Sequence, residues 1–161
     1  MSGNEAMELL LNSERVYEDL QHGLNYVSNY QKMRNDLPSE KIWNVNIIIR
    51  KWSDFDISSE FRVFVYQNEI TAITQYFDML YFPEIVTNKS NIEKKIRKFF
   101  SSIKNFVNFE NYVIDFAVLN IDKEYKENDV IIIEFNPFTK FTSSCLFDKS
   151  EYDGLFKVKN I

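Results

Sequence analysis

The stretch Val130-Ile131-Ile132-Ile133-Glu134-Phe135-Asn136-Pro137-Phe138 limits what this chain can fold into more than any other. Four apolar residues run directly into Glu134, one further apolar residue and Asn136. Side chains alternate faces along a strand, so Glu134 and Asn136 point the same way. A carboxylate and a carboxamide side by side at the end of a buried strand are costly unless something binds them. Hard cations such as magnesium take oxygen ligands of this kind. Pro137 then ends the strand, because it has no N–H to give to a ladder.

The composition suits one globular domain. With 161 residues the chain can bury a sizeable core, and its 45% apolar and 27% charged residues are ordinary proportions. Only three Gly and three Pro are present, which argues against long flexible linkers. The net charge of −5 argues against coating a nucleic acid. Cys145 is the only cysteine, so no internal disulfide can form and a reducing compartment, the cytoplasm, is expected. No apolar run approaches the ~20 residues of a membrane span, and no secretory leader is visible.

Along the chain, residues 1–5 read as a loose end. Ser13 reads as the N-cap of a helix running from about Ser13 into Val27, with Glu14 and Glu18 in its first turns. Residues 28–41 carry turn formers without a period and read as a loop. The β-branched run from Trp43 to Trp52 predicts a strand. Glu60 to Val65 predicts a second, with Phe61, Val63 and Val65 on one face and Arg62 and Phe64 on the other. Gln67-Asn68-Glu69 is a hairpin turn into a third strand, Ile70 to Tyr76, which implies an antiparallel sheet. Apolar residues at helical spacing from Ile92 to Phe106 predict a helix over 88–106 with its lysines, 94, 95, 98 and 104, on the solvated face. Tyr112 to Leu119 and Val130 to Phe135 complete the strands, and a short helix is expected near Ser150. The fold class expected is α+β, an antiparallel sheet of about five strands with flanking helices in one domain, 1–161.

Two groups of residues could carry chemistry. Asp115 interrupts the apolar strand Tyr112-Val113-Ile114-Asp115-Phe116-Ala117-Val118. If the strands around 112–119 and 130–136 pair as a hairpin, Asp115 faces Glu134 and Asn136. Two carboxylates and one amide oxygen would then suit magnesium and a nucleotide's phosphates. The alternative is that both carboxylates sit solvated at strand edges. Arg50, Lys51 and Arg62 form the second group, each in or beside an apolar strand. They suit phosphate oxygens, or ion pairs with Asp54, Asp56 or Glu60. His22, the only histidine, reads as a surface residue. One His and one Cys in unrelated segments give no nucleophilic triad, and the chain has no glycine-rich phosphate loop.

The motifs also stand in a familiar order: Ile48-Ile49-Arg50-Lys51-Trp52, Glu60-Phe61-Arg62-Val63-Phe64-Val65, Ile73-Thr74-Gln75-Tyr76, Ile114-Asp115-Phe116, Glu134-Phe135-Asn136-Pro137-Phe138 and Leu146-Phe147. This set resembles the cell division cycle protein 123 family, whose members have an ATP-grasp fold, and the resemblance covers roughly residues 9–150. It implies ATP and magnesium as ligands. By that resemblance Asp115, Glu134 and Asn136 match the metal ligands. Arg50, Lys51 and Trp52 match the segment crossing from the adenine side, and Arg62 matches an arginine expected to meet phosphates. Eukaryotic members are assembly factors for translation initiation factor 2 and bind its gamma subunit.

Two departures stand out. The family usually has Asp at the position of Glu134, which keeps the charge and moves it by one methylene. Its N-terminal lobe has no counterpart before Ile47, so only the C-terminal portion of the fold is expected. A protein-binding module that kept the fold without the nucleotide and an ATP-grasp carboxylate–amine ligase are the alternative functions.

Overall fold

A row of polar residues lies across the middle of a four-stranded sheet, and two hairpins build that sheet. The computed structural model describes residues 2–33 and 46–147. Of the loop expected over 28–41, residues 28–33 are helical and residues 34–41 lie outside the described residues, as does the short helix expected near Ser150. The chain divides into two compact units, Met1–Trp52 and Ser53–Ile161.

The first unit holds two helices, α1 (Gly3–Leu11) and α2 (Glu14–Met33). Residues 3–5 are helical rather than loose. Ser2 caps α1 by accepting from the Glu5 amide while the Glu5 carboxylate accepts from the Ser2 amide, a capping box that satisfies two orphan donors. Ser13 caps α2 as expected, accepting from the Val16 amide. The helix continues past Val27 to Met33, with Tyr26 and Tyr30 in ring contact one turn apart and Lys32 in the last turn. The strand expected over Trp43 to Trp52 does not form across its described part: residues 46–52 belong to no ladder, and Ile48 and Ile49 are exposed. β-Branched residues favour extended backbone, but a strand needs a partner for its N–H and C=O groups.

The second unit carries the sheet, in the order β2-β1-β3-β4 and antiparallel throughout. Its strands are β1 (Glu60–Tyr66), β2 (Glu69–Gln75), β3 (Tyr112–Val118) and β4 (Val130–Pro137). Four strands are thus found among the described residues. Gln67 and Asn68 join β1 to β2 with both residues at positive φ, 51° and 60°, the geometry of a two-residue turn matched to strand twist. Alternation along β1 and β3 sends Phe61, Val63, Val65, Ile114, Phe116 and Val118 to one face. There they meet Ile92, Ile96 and Phe100 of α3 (Pro83–Ile103), which starts earlier than expected because Pro83 suits its first turn.

Lys95 is not on the solvated face of α3. It falls one turn from Ile92 and Phe99 on the apolar stripe and is fully buried. Its ammonium donates to the Leu119 carbonyl (3.2 Å), the Asn120 carbonyl (2.7 Å) and Asp129 Oδ2 (2.8 Å), which uses all three protons. Asp129 in turn accepts from Asn120 Nδ2 and the Lys126 amide. Burial opposes ionisation of Asp129, but the bonds from Lys95, Asn120 and Lys126 outweigh it and hold the carboxyl at about 2. The pair therefore pins α3 to the β3–β4 connection.

Removing one partner would strand a buried charge. Asp129→Ala is expected to cost about 3–5 kcal/mol in urea unfolding. Because the folded pKa is depressed, the stability Asp129 contributes is present above its unfolded value near ~4 and is lost as pH falls toward about 2. Asp129→Asn should flatten that acid limb of the stability profile. Replacing Gln67-Asn68 by Asn-Gly should instead stabilise the hairpin, by about 1 kcal/mol, since glycine carries positive φ without strain.

Candidate functional site

The sheet face opposite α3 carries the charges. In register across it, Thr74 lies opposite Arg62, Arg62 opposite Asp115, and Asp115 opposite Glu134. One row therefore crosses all four strands, and Asn136 stands two residues beyond Glu134 on the same face. The hairpin expected between 112–119 and 130–136 forms, and it brings Asp115, Glu134 and Asn136 together. A bulge between Asp115 and Phe116, at Ile133 on the facing strand, lets β4 keep both Glu134 and Asn136 beside Asp115.

Arg62 and Asp115 form the centre of the row. Arg62 Nε and Nη2 donate to Asp115 Oδ1 and Oδ2, each at 2.8 Å, a two-pronged ion pair with both side chains at most 5% exposed. The partners considered from sequence, Asp54, Asp56 and Glu60, are not the ones used. Arg62 Nη1 donates to the Ser143 carbonyl at 2.9 Å, and the guanidinium lies 4.8 Å from the Tyr76 ring centre. The segment after β4 is thereby tied over the row, and Phe138 and Phe147 pack edge-on against Phe64 beside it.

Asn136 Nδ2 donates to Asp115 Oδ2 (3.1 Å) and Glu134 Oε1 (3.0 Å). Glu134 is exposed, and Glu60 lies on the same face two residues before Arg62. Arg62 pairs with Asp115, while Glu60 and Glu134 lie on the same face nearby. Burial and the nearness of these acids shift the Glu60 and Asp115 carboxyls. Burial, then the charges of Asp115 and Glu134, push the Glu60 carboxyl up. Burial and Glu134 push Asp115 up against the pull of Arg62. Burial works against the Arg62 charge, but its bond to Asp115 holds the guanidinium protonated beyond its ordinary range. Burial likewise raises the Cys145 thiol, against the pull of Arg62.

An oxygen-only donor set with surplus negative charge fits a hard divalent cation. A half-turn of the Asn136 amide would present its oxygen to such an ion. Among the described residues no three His, Cys, Asp or Glu side chains stand together as a metal cluster, so the protein would supply two carboxylates and one amide. Magnesium is commonly held in that way, with phosphates and water completing its shell.

Arg50, Lys51 and Trp52 lie exposed in non-ladder chain of the first unit, Trp52 at 85%. Glu60, Tyr76 and Ser143 were not singled out in sequence as members of the site. For Glu60 the signal was available in its spacing of two from Arg62. For Ser143 there was none, because a backbone carbonyl leaves no trace in residue type.

Comparison with known proteins places the chain in a family. The D123 family model matches residues 1–159. The chain belongs to the D123 family. Relatives named translation initiation factor eIF2 assembly protein include one from Vanderwaltozyma polyspora, 30% identical over 160 residues, and one from Candida albicans, 32% identical over 146 residues. The first alignment covers 92% of this chain and 37% of the relative, the second 86% and 38%, so the chain spans a little over a third of their length. The structure of Cdc123 from Schizosaccharomyces pombe superposes with a TM-score of 0.68 at 20% identity, over 99% of this chain and 58% of that one. The chain therefore shares the fold of the matched part of Cdc123.

Like charges opposite one another across strands destabilise by roughly 0.2–1 kcal/mol. Glu134→Gln should therefore raise stability at neutral pH by an amount in that range, measured by urea unfolding. Arg62→Met should do the reverse and cost about 3–5 kcal/mol, because Asp115 would remain buried without its partner.

Proposed function

We propose that this D123-family chain binds ATP with magnesium on the polar face of its sheet and serves as an assembly factor for translation initiation factor 2. The observation that carries the reading is the row of Arg62, Asp115 and Glu134 on three adjacent strands, with Asn136 closing it. Asp115, Glu134 and Asn136 would hold magnesium, which when bound neutralises phosphate charge. Arg62 fixes the Asp115 carboxylate in place, and its guanidinium is the proposed contact to the phosphates. Arg50, Lys51 and Trp52 are the proposed contacts to the rest of the nucleotide. The names of the curated relatives support the assembly role, with the gamma subunit of the factor as proposed partner and the cytoplasm as the place of action. No helix among the described residues is long and apolar enough to cross a membrane.

One observation favours a second reading, a protein-binding module without nucleotide. Both Asp115 oxygens already accept from Arg62, so the pair is complete as a structural ion pair. Calorimetry with ATP separates the two readings. The proposal expects binding that requires magnesium and weakens by about 10-fold or more in Glu134→Gln, a loss that even groups hydrogen-bonded to metal ligands cause. Heat that is the same with and without magnesium, or unchanged in Glu134→Gln, favours the module.

A further inference from the structure

The outer edge of β2 lies open. Among the described residues no strand pairs with it beyond β1. The Tyr76 amide donates to the Glu60 carbonyl, so alternate residues Ala72, Thr74 and Tyr76 direct their backbone groups to β1. The amide and carbonyl of Ile73 and the amide of Gln75 therefore face outward. The sequence of this edge, Ile70-Thr71-Ala72-Ile73-Thr74, is mostly β-branched and uncharged and has no lysine or proline, and its one irregularity is the register shift at Thr71, which leaves Ala72 to Gln75 as the regular edge.

A cavity of about 520 Å³ wraps around this edge. Ile85 and Ile92 on the α3 side form one wall, and Leu146 and Phe147 on the polar-face side form the other. The floor between them is β2 itself. Apolar walls above and below a row of outward-facing backbone groups leave a slot with the shape and hydrogen-bonding pattern of one more strand. Lys89 stands at the rim, exposed and without an ion pair among the described residues, while Arg97 there is paired to Glu93.

We infer that the β2 edge is a docking slot for an extended segment of a partner protein, which adds a strand to the sheet. The segment it fits has apolar or β-branched residues at alternate positions and a carboxylate placed to meet Lys89. Main-chain hydrogen bonds supply the affinity, and the two walls together with Lys89 supply the selection. The slot takes Thr74 from the far end of the polar row but none of Asp115, Glu134 and Asn136, so the inference stands apart from the nucleotide reading.

The probe is a fluorescein-labelled synthetic peptide, Thr-Val-Thr-Val-Glu-Val-Thr, titrated with the whole chain and read by anisotropy. Saturable binding is expected. N-methylation of alternate peptide amides in the register facing β2 should weaken it at least 10-fold, and methylation in the other register should leave it within 2-fold. Lys89→Glu should weaken it several-fold and should favour the version with lysine in place of glutamate. Ile73→Pro, which removes an outward amide the β1 ladder does not use, should abolish binding while leaving the unfolding midpoint of the rest of the sheet measurable by circular dichroism. Absence of binding, or binding indifferent to N-methylation in both registers, overturns the inference. So does a dimer in analytical ultracentrifugation that Ile73→Pro dissolves, since a second copy would then be the occupant.

Discussion

The two-pronged bond between Arg62 and Asp115 is the interaction on which the polar face of the sheet depends. It joins β1 to β3, strands more than fifty residues apart in sequence, at the one point where the ladder crosses charges. A carboxylate in the middle of an otherwise apolar strand is tolerated only because the guanidinium meets both its oxygens. The same guanidinium holds the Ser143 carbonyl, so the segment after β4 is anchored by the charge that holds Asp115. The site and its cover therefore share one tether.

A second buried pair works on the opposite side. Lys95 and Asp129 tie α3 to the connection that aims β4, and β4 carries Glu134 and Asn136. The register that places Glu134 opposite Asp115 is therefore fixed from both faces, by a hydrophobic layer under α3 and by an ion pair at each end of it. The bulge at Ile133 completes the arrangement, because a regular ladder there would put Glu134 and Asn136 on the same face as Val130 and Ile132, toward the core. What remains is a pair of carboxylates bridged by the Asn136 amide, exposed at Glu134 and closed at Asp115.

Much of this was legible in the sequence. Alternation alone paired Glu134 with Asn136 and separated Arg62 from Phe61 and Val63, because the period of a strand is fixed by backbone geometry. The β3–β4 hairpin followed from two apolar runs around a polar turn. The partner of Arg62 was not legible, since β1 and β3 are neighbours only through tertiary packing and nearer acids competed for it. Lys95 misled because a lysine on a helix normally reaches water, and only its spacing from Ile92 and Phe99 marked the buried stripe. The Ser2–Glu5 capping box was a readable signal for α1. The run from Ile47 to Ile49 carried strand propensity without the ladder partner that propensity needs.

The proposed cation site is made by Asp115 on β3 with Glu134 and Asn136 on β4. Manganese, which takes oxygen ligands as magnesium does, broadens the amide signals of residues near it in a two-dimensional nitrogen–proton NMR spectrum. Titrated with ATP present, it should broaden residues 113–116 and 133–137 first and leave α3 sharp, and the broadening should fade when magnesium is added in excess. Broadening spread over exposed acids elsewhere, with residues 113–116 and 133–137 unaffected, would contradict the account.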